Sequence, residues 1–583
     1  MSDVDFQKTE YAYRRSSDQD ALKDATQAVL HPVVVIGAGP VGLALAIDLA
    51  QRGQPVVLLD NDNKLSSGSR AICFSKRSLE IFDRLGCGQR MVDKGVSWNV
   101  GKVFLKDKPL YGFDLLPEPG HARPAFINLQ QYYVEGYLAE RAAVLPNLDI
   151  RWLNKVTHIS GASQTDDAAT LTVDTPEGSY TLQAQYVVAC DGSRSTTRQL
   201  MGLESTGRVF QDRFLIADVK MTVEFPTERW FWFDPPFHPN QSVLLHRQPD
   251  HVWRIDFQLG WDADPEEEKK PEKIIPRVKA LLAYGAKEGQ KDSSKTPEFE
   301  LEWASVYTFA CQRMASFRHG RVLFAGDSAH GVSPFGARGA NSGIQDAENL
   351  AWKLDAVLRS QAPEALLNSY ASEREYAADE NIRNSSRSTD FITPKSDVSR
   401  VFRDAVLDLA KDYPFARTLV NSGRLSVPAT LHSSVLNTPD GDAFEGHMVP
   451  GSTALDAPVQ LADGSACWLL RQLGAGFTLM VYGADGGSEY AAMVNAAADS
   501  VPCSVVHIQT QITAAKSTKS NMPGKSNHLM DRDGLIAKRY DMQPGTAYLL
   551  RPDQHVCARW RQVTPAKLQA ALNLALFKQS FQN

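Results

Sequence analysis

VVVIGAGPVGLALAIDL, residues 33–49, followed by the apolar run Val56 to Leu59 that ends on Asp60, decides how the chain is read. Three valines and Ile36 have the unbroken apolar character of a strand buried on both faces. Gly37, Gly39, Pro40 and Gly42 then form a sharp turn, and Leu43 to Ala50 starts a helix. Gly37 allows the tight turn, Gly39 lets backbone N–H groups approach a pyrophosphate, and Gly42 lets helix and strand pack closely. The pyrophosphate would sit at the helix N-terminus, where free N–H groups and the dipole favour an anion. Asp60 closes the second strand 21 residues after Gly39, placed to accept from a ribose hydroxyl. A GxGxxG alone is weak, and a glycine-rich turn without a ligand is the alternative. Strand, glycines, helix, strand and acid in register read as a dinucleotide site.

The rest of the chain sets bounds on function. Its 583 residues exceed one hydrophobic core and predict two to four domains. A hydrophobic content of 43% and a net charge of −6 describe an ordinary soluble protein with no electrostatic footprint for nucleic acid or anionic membrane. No apolar run approaches the roughly 20 residues of a membrane span, and residues 1–20 have the pattern of neither a signal nor a transit peptide. Seven dispersed cysteines without CxxC or metal spacing fit reduced thiols in a cytoplasm, and no metal site is expected.

Residues 1–30 read as a polar N-terminal arm. After Asp60, SSGSRA reads as a loop carrying Arg70, and SKRSLEIFDRLG as an amphipathic helix stopped by Gly86. FINLQQYYVEGYLAERAAVL, from Phe126, reads as another helix. Ala184 to Asp191 is a buried strand that ends in DGSRSTTR, where Asp191–Gly192 is either a phosphate-proximal turn or a plain Asp-Gly turn. Residues 205–320 change character, with alternating strands such as VWRIDFQL. There Trp253, Ile255, Phe257 and Leu259 share one face, and Arg254, Asp256 and Gln258 the other. This predicts an antiparallel sheet with one apolar and one polar face. At Arg321 the parallel signature returns as GDSAHGVSPFGARGANSG and a long helix, with helices to about 430. A Pro-, Gly- and Ser-rich break precedes a last segment whose strand, strand, hairpin, helix order is thioredoxin-like but lacks CxxC, and so is structural or interfacial.

GAGPVG at 37, DGSRSTTR at 191 and GDSAHGVSPFGARGANSG at 326, interrupted by an antiparallel sheet, resemble the single-component flavoprotein aromatic hydroxylases, of para-hydroxybenzoate hydroxylase and phenol hydroxylase type. The resemblance implies an α/β fold with a Rossmann-like FAD-binding domain in two parts, 31–204 and 321–436. Between them stands a substrate-binding sheet domain, 205–320, and a thioredoxin-like α/β domain follows at 437–583. It implies FAD and NAD(P)H as cofactors, a small phenolic substrate, O2, and a homodimer. In that family NAD(P)H reduces FAD, oxygen adds at the flavin C4a carbon, and the hydroperoxide attacks a phenolic ring ortho or para to its hydroxyl.

Position by position, the resemblance places the FAD pyrophosphate on Gly37 to Gly42 and the adenosine ribose on Asp60. Arg70 matches an arginine near the flavin, and Gln131 matches a glutamine that contacts the cofactor, with Gln130 the neighbouring alternative. Asp191 and Gly192 match the DG motif, Asp327 the ribityl-binding aspartate, and Pro334 a residue beside the ring. Gly339, Ala340 and Asn341 would present N–H groups to the flavin carbonyl edge. Ser328 stands where the family has alanine, and Arg338 interrupts its glycine-rich run, facing the ring without a role. A phenol attacks better as phenolate, which asks for a base or positive group in the substrate pocket. His246, Arg247, Arg254, Asp256 and the aromatics Trp230 to Phe233 are candidates, with His246 and Arg254 preferred. Arg254 and Asp256 pairing on an outer face, and the aromatics serving as core, are the plain structural readings. Trp230-Phe231-Trp232 with Pro235 also brushes a flavin-dependent halogenase motif, though Asp234 stands where that motif has Ile. A non-catalytic carrier of the same fold is the third reading.

Overall fold

The computed structural model describes residues 6–24, 28–66, 68, 71–223, 225–289, 298–420, 426–483, 487–497, 501–509 and 526–578. Leu30–Ile36 and Val56–Leu59 are parallel neighbours at the centre of an eight-stranded sheet. Gly178–Ala189 flanks them on one side and Leu148–Arg151 on the other, both parallel. Val322–Phe324 extends the sheet beyond Gly178–Ala189. Val33, Val34 and Val35 are fully buried, as a strand covered by helices on both faces requires. The helices Pro40–Gln51, Gln131–Ala143 and Gly339–Leu358 supply that cover and share one apolar core with the sheet.

The second sheet has seven strands, in the order Glu300–Tyr307, Arg213–Lys220, Val252–Leu259, Ser242–Arg247, Arg229–Phe233, Val100–Leu105, Lys108–Asp114. Every pairing is antiparallel except that of Arg229–Phe233 with Val100–Leu105. The sheet therefore takes two strands from residues 100–114, which the sequence reading assigned to the FAD-binding part. VWRIDFQL shows the expected alternation, yet all eight residues are buried, so neither face is an outer one. Trp253, Ile255, Phe257 and Leu259 pack against Ile274, Val278, Leu281 and Leu282 of the helix Pro271–Gly289. The polar face turns toward the nucleotide-binding body.

Two local readings change. Phe126–Asn128 is a short buried strand, and the helix begins only at Gln131. The N-terminal arm is not a free tail: Phe6 is buried edge-on against Tyr133 and Tyr137, and Tyr11 stacks on Trp152.

The C-terminal segment is thioredoxin-like. Phe477–Tyr482 pairs in parallel with Cys503–Gln509 and antiparallel with Ala547–Leu550, which pairs antiparallel with Val556–Trp560; Pro565–Ala575 closes the segment. Its hairpin tip, Arg551 to Gln554, is buried against the body. Arg551 Nη1 donates to Glu373 Oε1 at 2.6 Å and Nη2 to Asp553 Oδ2 at 2.5 Å. Lys353 Nζ donates to Glu373 Oε2 at 2.7 Å, and Trp352 Nε1 to Asp553 Oδ2 at 3.0 Å. Burial opposes ionisation of both acids, but the Arg551 charge outweighs it and holds Glu373 and Asp553 below the ordinary carboxylate range. Removing one member of such a network strands buried charge. Arg551→Ala is expected to lower stability by about 3–5 kcal/mol, read as a drop in the urea midpoint. A midpoint unchanged from the parent protein would show that the hairpin tip does not hold the two parts together.

Candidate active site

Three glycine-rich turns meet at the carboxyl ends of the parallel strands, where an open α/β sheet places its ligand. Gly37 has φ of +104°, and a Cβ there would lie 2.6 Å from the Cys190 carbonyl oxygen. A Cβ on Gly42 would overlap the Gly37 carbonyl oxygen, and one on Gly343 would come within 2.6 Å of Val41 Cγ2. The turn after the first strand is thus wedged between Cys190–Asp191 and the Gly326 turn. A Cβ on Gly39, by contrast, would meet nothing within 4 Å, and the same holds for Gly192. The helix Pro40–Gln51 has Gly39 as its N-cap with no side-chain hydrogen bond, which leaves its first N–H groups for an anion.

Carboxylates surround this opening. Asp60 Oδ2 accepts from Ala38 N at 2.6 Å and Oδ1 from Asp62 N at 2.8 Å, while burial pushes its carboxyl above the ordinary range. Asp191 Oδ2 accepts from Thr197 N at 2.9 Å, and its buried Oδ1 has no protein partner. Gln131 Oε1 accepts from Ala71 N at 3.2 Å, and its Nε2 donates to Glu135 Oε1 at 2.8 Å and Ser66 Oγ at 2.9 Å. Gln130 instead turns to the Pro249 carbonyl, so Gln131 is the glutamine at this opening. Arg70 lies outside the described residues.

The third turn shows what its departures do. Ser328 Oγ donates to Ala189 O at 2.7 Å and Ala325 O at 2.8 Å, stapling the turn to the strand that ends in Asp191. Asp327 and Pro334 are exposed on the same loop. Arg338 does not face outward to a ring: it is 2% exposed, and Nη1 donates to Phe335 O at 3.0 Å. Its guanidinium occupies the space over Gly336 that any side chain there would need, and Gly336 has φ of +99°. Gly339 and Ala340 begin the helix Gly339–Leu358, which has no side-chain cap. Asn341 follows, but its side chain is committed: Oδ1 accepts from Ser75 N and Ser78 Oγ, and Nδ2 donates to Cys73 O and Ala337 O. One turn further in, Asp346 accepts from Gly326 N at 3.0 Å and Arg374 Nε at 2.5 Å, and pairs with His330 Nε2 at 2.7 Å.

Facing these turns is the polar face of the second sheet, whose side chains form three rows. The first runs Arg229, His246, Arg254, Asp218, Trp303; the second Phe231, Leu244, Asp256, Ile216, Ser305; the third Phe233, Ser242, Gln258, Phe214, Tyr307. The first row is charged and the third largely aromatic. A Cβ on Gly68 would lie 2.6 Å from Trp303, and Phe335 packs edge-on against Phe214, so the rows span the gap between the two loops. Arg254 and Asp256 do not pair with each other. Arg254 forms a double hydrogen bond to Asp218, at 2.8 and 2.7 Å. His246 Nε2 lies 3.2 Å from Asp256 Oδ2, and its Nδ1 is buried without a partner. Burial, helped by the Arg229 charge, lowers the His246 pKa to about 4. Trp230 and Trp232 point to the opposite face.

A family described as FAD binding domain matches residues 31–385, and the HcaD C-terminal domain family matches residues 451–575. The chain belongs to the class A flavoprotein hydroxylases. A probable NADH-specific resorcinol 4-hydroxylase of Rhodococcus jostii is 33% identical over 59% of this chain, a match spanning 62% of that relative's length. A 3-(3-hydroxy-phenyl)propionate/3-hydroxycinnamic acid hydroxylase of Shigella sonnei is 27% identical over 92% of this chain and 93% of its own. Among solved structures, the flavin-dependent monooxygenase PieE with FAD and substrate aligns with a TM-score of 0.77 at 19% identity, over 94% of this chain and all of its own. It shares the fold. FAD is the cofactor of this class A flavoprotein hydroxylase, and the cradle fits it: two uncapped helix N-termini, an open approach at Gly39, and an unpartnered buried Asp191 Oδ1.

Sequence reasoning missed Arg229, Asp218, Tyr307, Glu135, Asp346 and Arg374. Glu135 had a signal, since it sits one helical turn after Gln131. The others acquire partners only through strand register and helix packing. Asp346 gives a pH test. Burial opposes its ionisation, but Arg374 and His330 outweigh that and lower its pKa from 3.8 to about 2. Its ionised form therefore stabilises the fold above the unfolded pKa, and that contribution is lost as pH falls toward 2. The stability gap between the parent protein and Asp346→Asn is expected to narrow by about 2 kcal/mol between pH 7 and pH 2. Urea unfolding at both pH values measures it, and a gap independent of pH would contradict the assignment.

Proposed function

We propose that the chain hydroxylates a phenolic ring ortho or para to its hydroxyl, using NAD(P)H and O2. The observation that carries this reading is the graded face of the second sheet, apolar at Phe214, Phe231 and Phe233 and polar at His246 and Arg254, standing opposite the FAD cradle. A flat ring with one polar edge matches that gradient. When bound, FAD supplies electron transfer from NAD(P)H and activation of O2. Gly37 to Gly42 and the helix they start hold its pyrophosphate, Asp60 its ribose, Asp191, Gly192 and Asp327 its linking chain, and Gln131 the loop beside it. The first N–H groups of the helix at Gly339 and Ala340 favour negative charge on the ring system.

His246 then has a defined task. Its bond to Asp256 directs the ring proton to Nε2, which leaves Nδ1 as an acceptor aimed away from that pair. With a pKa near 4 the imidazole is neutral at pH 7, so Nδ1 takes a hydrogen bond from the ring hydroxyl and draws electron density toward the attacking carbon. Arg254, held by Asp218, stabilises negative charge that develops on the same oxygen. Trp230 and Trp232 lie on the far face, which favours hydroxylation over halogenation, and an intact cradle favours an enzyme over a carrier. The exposed apolar stripe Val398, Val401, Phe402, Phe415 and Leu419 supports pairing with a second copy of this chain. Seven unpaired thiols suit a reducing cytoplasm.

The deciding experiment supplies phenols, resorcinols and hydroxybenzoates with NADH or NADPH and weighs the products. A gain of one oxygen atom supports the proposal; nicotinamide oxidation yielding only hydrogen peroxide with every phenol rejects it. On a substrate that is turned over, His246→Leu is expected to lower kcat/KM by on the order of a hundredfold with flavin content kept. A change below about threefold would remove His246 from the reaction.

A further inference from the structure

We infer that the charged row of the sheet receives a carboxylate carried by the aromatic substrate, held by Arg229 and Gln248. The inference rests on the hydroxylase reading for the ring itself. Its basis is a guanidinium that no carboxylate among the described residues pairs with directly. In that row both oxygens of Asp218 are committed to Nε and Nη2 of Arg254, and Asp256 in the next row is committed to His246. Arg229 follows His246 across the sheet, one step beyond the Trp230–Leu245 pair. Among the described residues no carboxylate pairs with it, its Nη1 is buried without a partner, and its guanidinium rests 5.9 Å from the Trp98 ring. Asp256, bound to a neutral His246, balances the Arg229 charge only from the neighbouring row and leaves the guanidinium without a direct acceptor at Nη1.

A second set of orphans lies beside it. Gln248, two residues beyond His246, is 1% exposed, and both polar atoms of its side-chain amide lack a partner. The backbone carries it next to Arg229: Trp98 Nε1 donates to Asn128 Oδ1 at 2.9 Å, and Asn128 Nδ2 donates to Arg247 O at 2.8 Å. Buried donors without acceptors cost free energy, and native structures rarely leave several together. A carboxylate satisfies both at once. The planar guanidinium fork matches two carboxylate oxygens, and the Gln248 amide N–H reaches one of them from the side. An ionised ring hydroxyl offers the same oxyanion chemistry, so the two sources must be separated.

The test uses the full-length FAD-loaded protein and follows binding by calorimetry and by the flavin visible spectrum. The probes are 3-(3-hydroxyphenyl)propionate, its primary amide, and 3-phenylpropionate, which lacks the ring hydroxyl. The acid is expected to bind on the order of tenfold to a hundredfold more tightly than the amide, and 3-phenylpropionate to bind as well. Arg229→Gln should bring acid and amide to within about twofold of each other, with flavin content unchanged. Should that variant lose flavin, Gln248→Leu, which is expected to weaken the acid more than the amide, decides in its place. Equal binding of acid and amide by the parent protein overturns the inference. So does loss of binding on removing the hydroxyl alone, which would assign Arg229 to the phenolate. Product mass separates the two proposals. An acid bound through Arg229 but never oxygenated refutes the reaction alone, whereas the hydroxylated acid oxygenated with equal kcat/KM by the parent protein and by Arg229→Gln refutes only the subsite.

Discussion

The buried carboxylate of Asp346 is the constraint on which the site depends. It ties the N–H of Gly326, the imidazole of His330 and the guanidinium of Arg374 to one side of the helix Gly339–Leu358. That fixes the glycine-rich turn relative to the helix whose N-terminus it precedes. Because Val41 is wedged between Gly326 and Gly343, the first dinucleotide turn inherits the same position. An ion pair that is fully enclosed contributes little net stability against apolar packing, but it penalises every arrangement in which one partner is left alone. Here that penalty selects a single placement of three loops drawn from residues far apart in the chain.

The sheet opposite answers with a different economy of charge. Register alone lines up Arg229, His246, Arg254 and Asp218, and side chains two residues apart on one strand fall into successive rows. A one-residue slip of Val252–Leu259 would exchange Arg254 and Asp256 for Trp253 and Ile255. The apolar packing of the opposite face on the helix Pro271–Gly289 therefore sets the chemistry of the inner face. Specificity and stability are here two sides of the same strands.

These facts explain what could be read from the sequence. The three glycine-containing blocks were legible because their function is local: backbone N–H groups, sharp turns and close helix packing need small residues at fixed offsets. The alternation of VWRIDFQL was legible for the same reason. The burial of its polar face was not, because the cover comes from residues such as Gly68 and Phe335, far away in the chain. Val100–Asp114 joins a sheet whose other strands begin more than a hundred residues later, and no local pattern announces such a pairing. Phe126–Asn128 looked helical because its apolar residues run directly into a helix. Arg338 could be seen as an intruder in a glycine run, but that it folds back onto the Phe335 carbonyl is a property of the turn in three dimensions.

The helix Gly339–Leu358 is gripped twice, near its N-terminal end through Asp346 and toward its C-terminal end by the hairpin tip through Asn349 and Trp352. The thioredoxin-like unit meets the body through this tip, through apolar packing of Phe477 and Leu479 on Trp352, Ala356 and Leu366, and through Arg539, which donates to the carbonyls of Pro119 and Gly120. A contact spread over a buried ion network, an apolar face and loop carbonyls constrains several surfaces of the unit at once. A domain kept in this way is inherited as a strut, and its sequence records the shape of its neighbour more faithfully than any activity of its own.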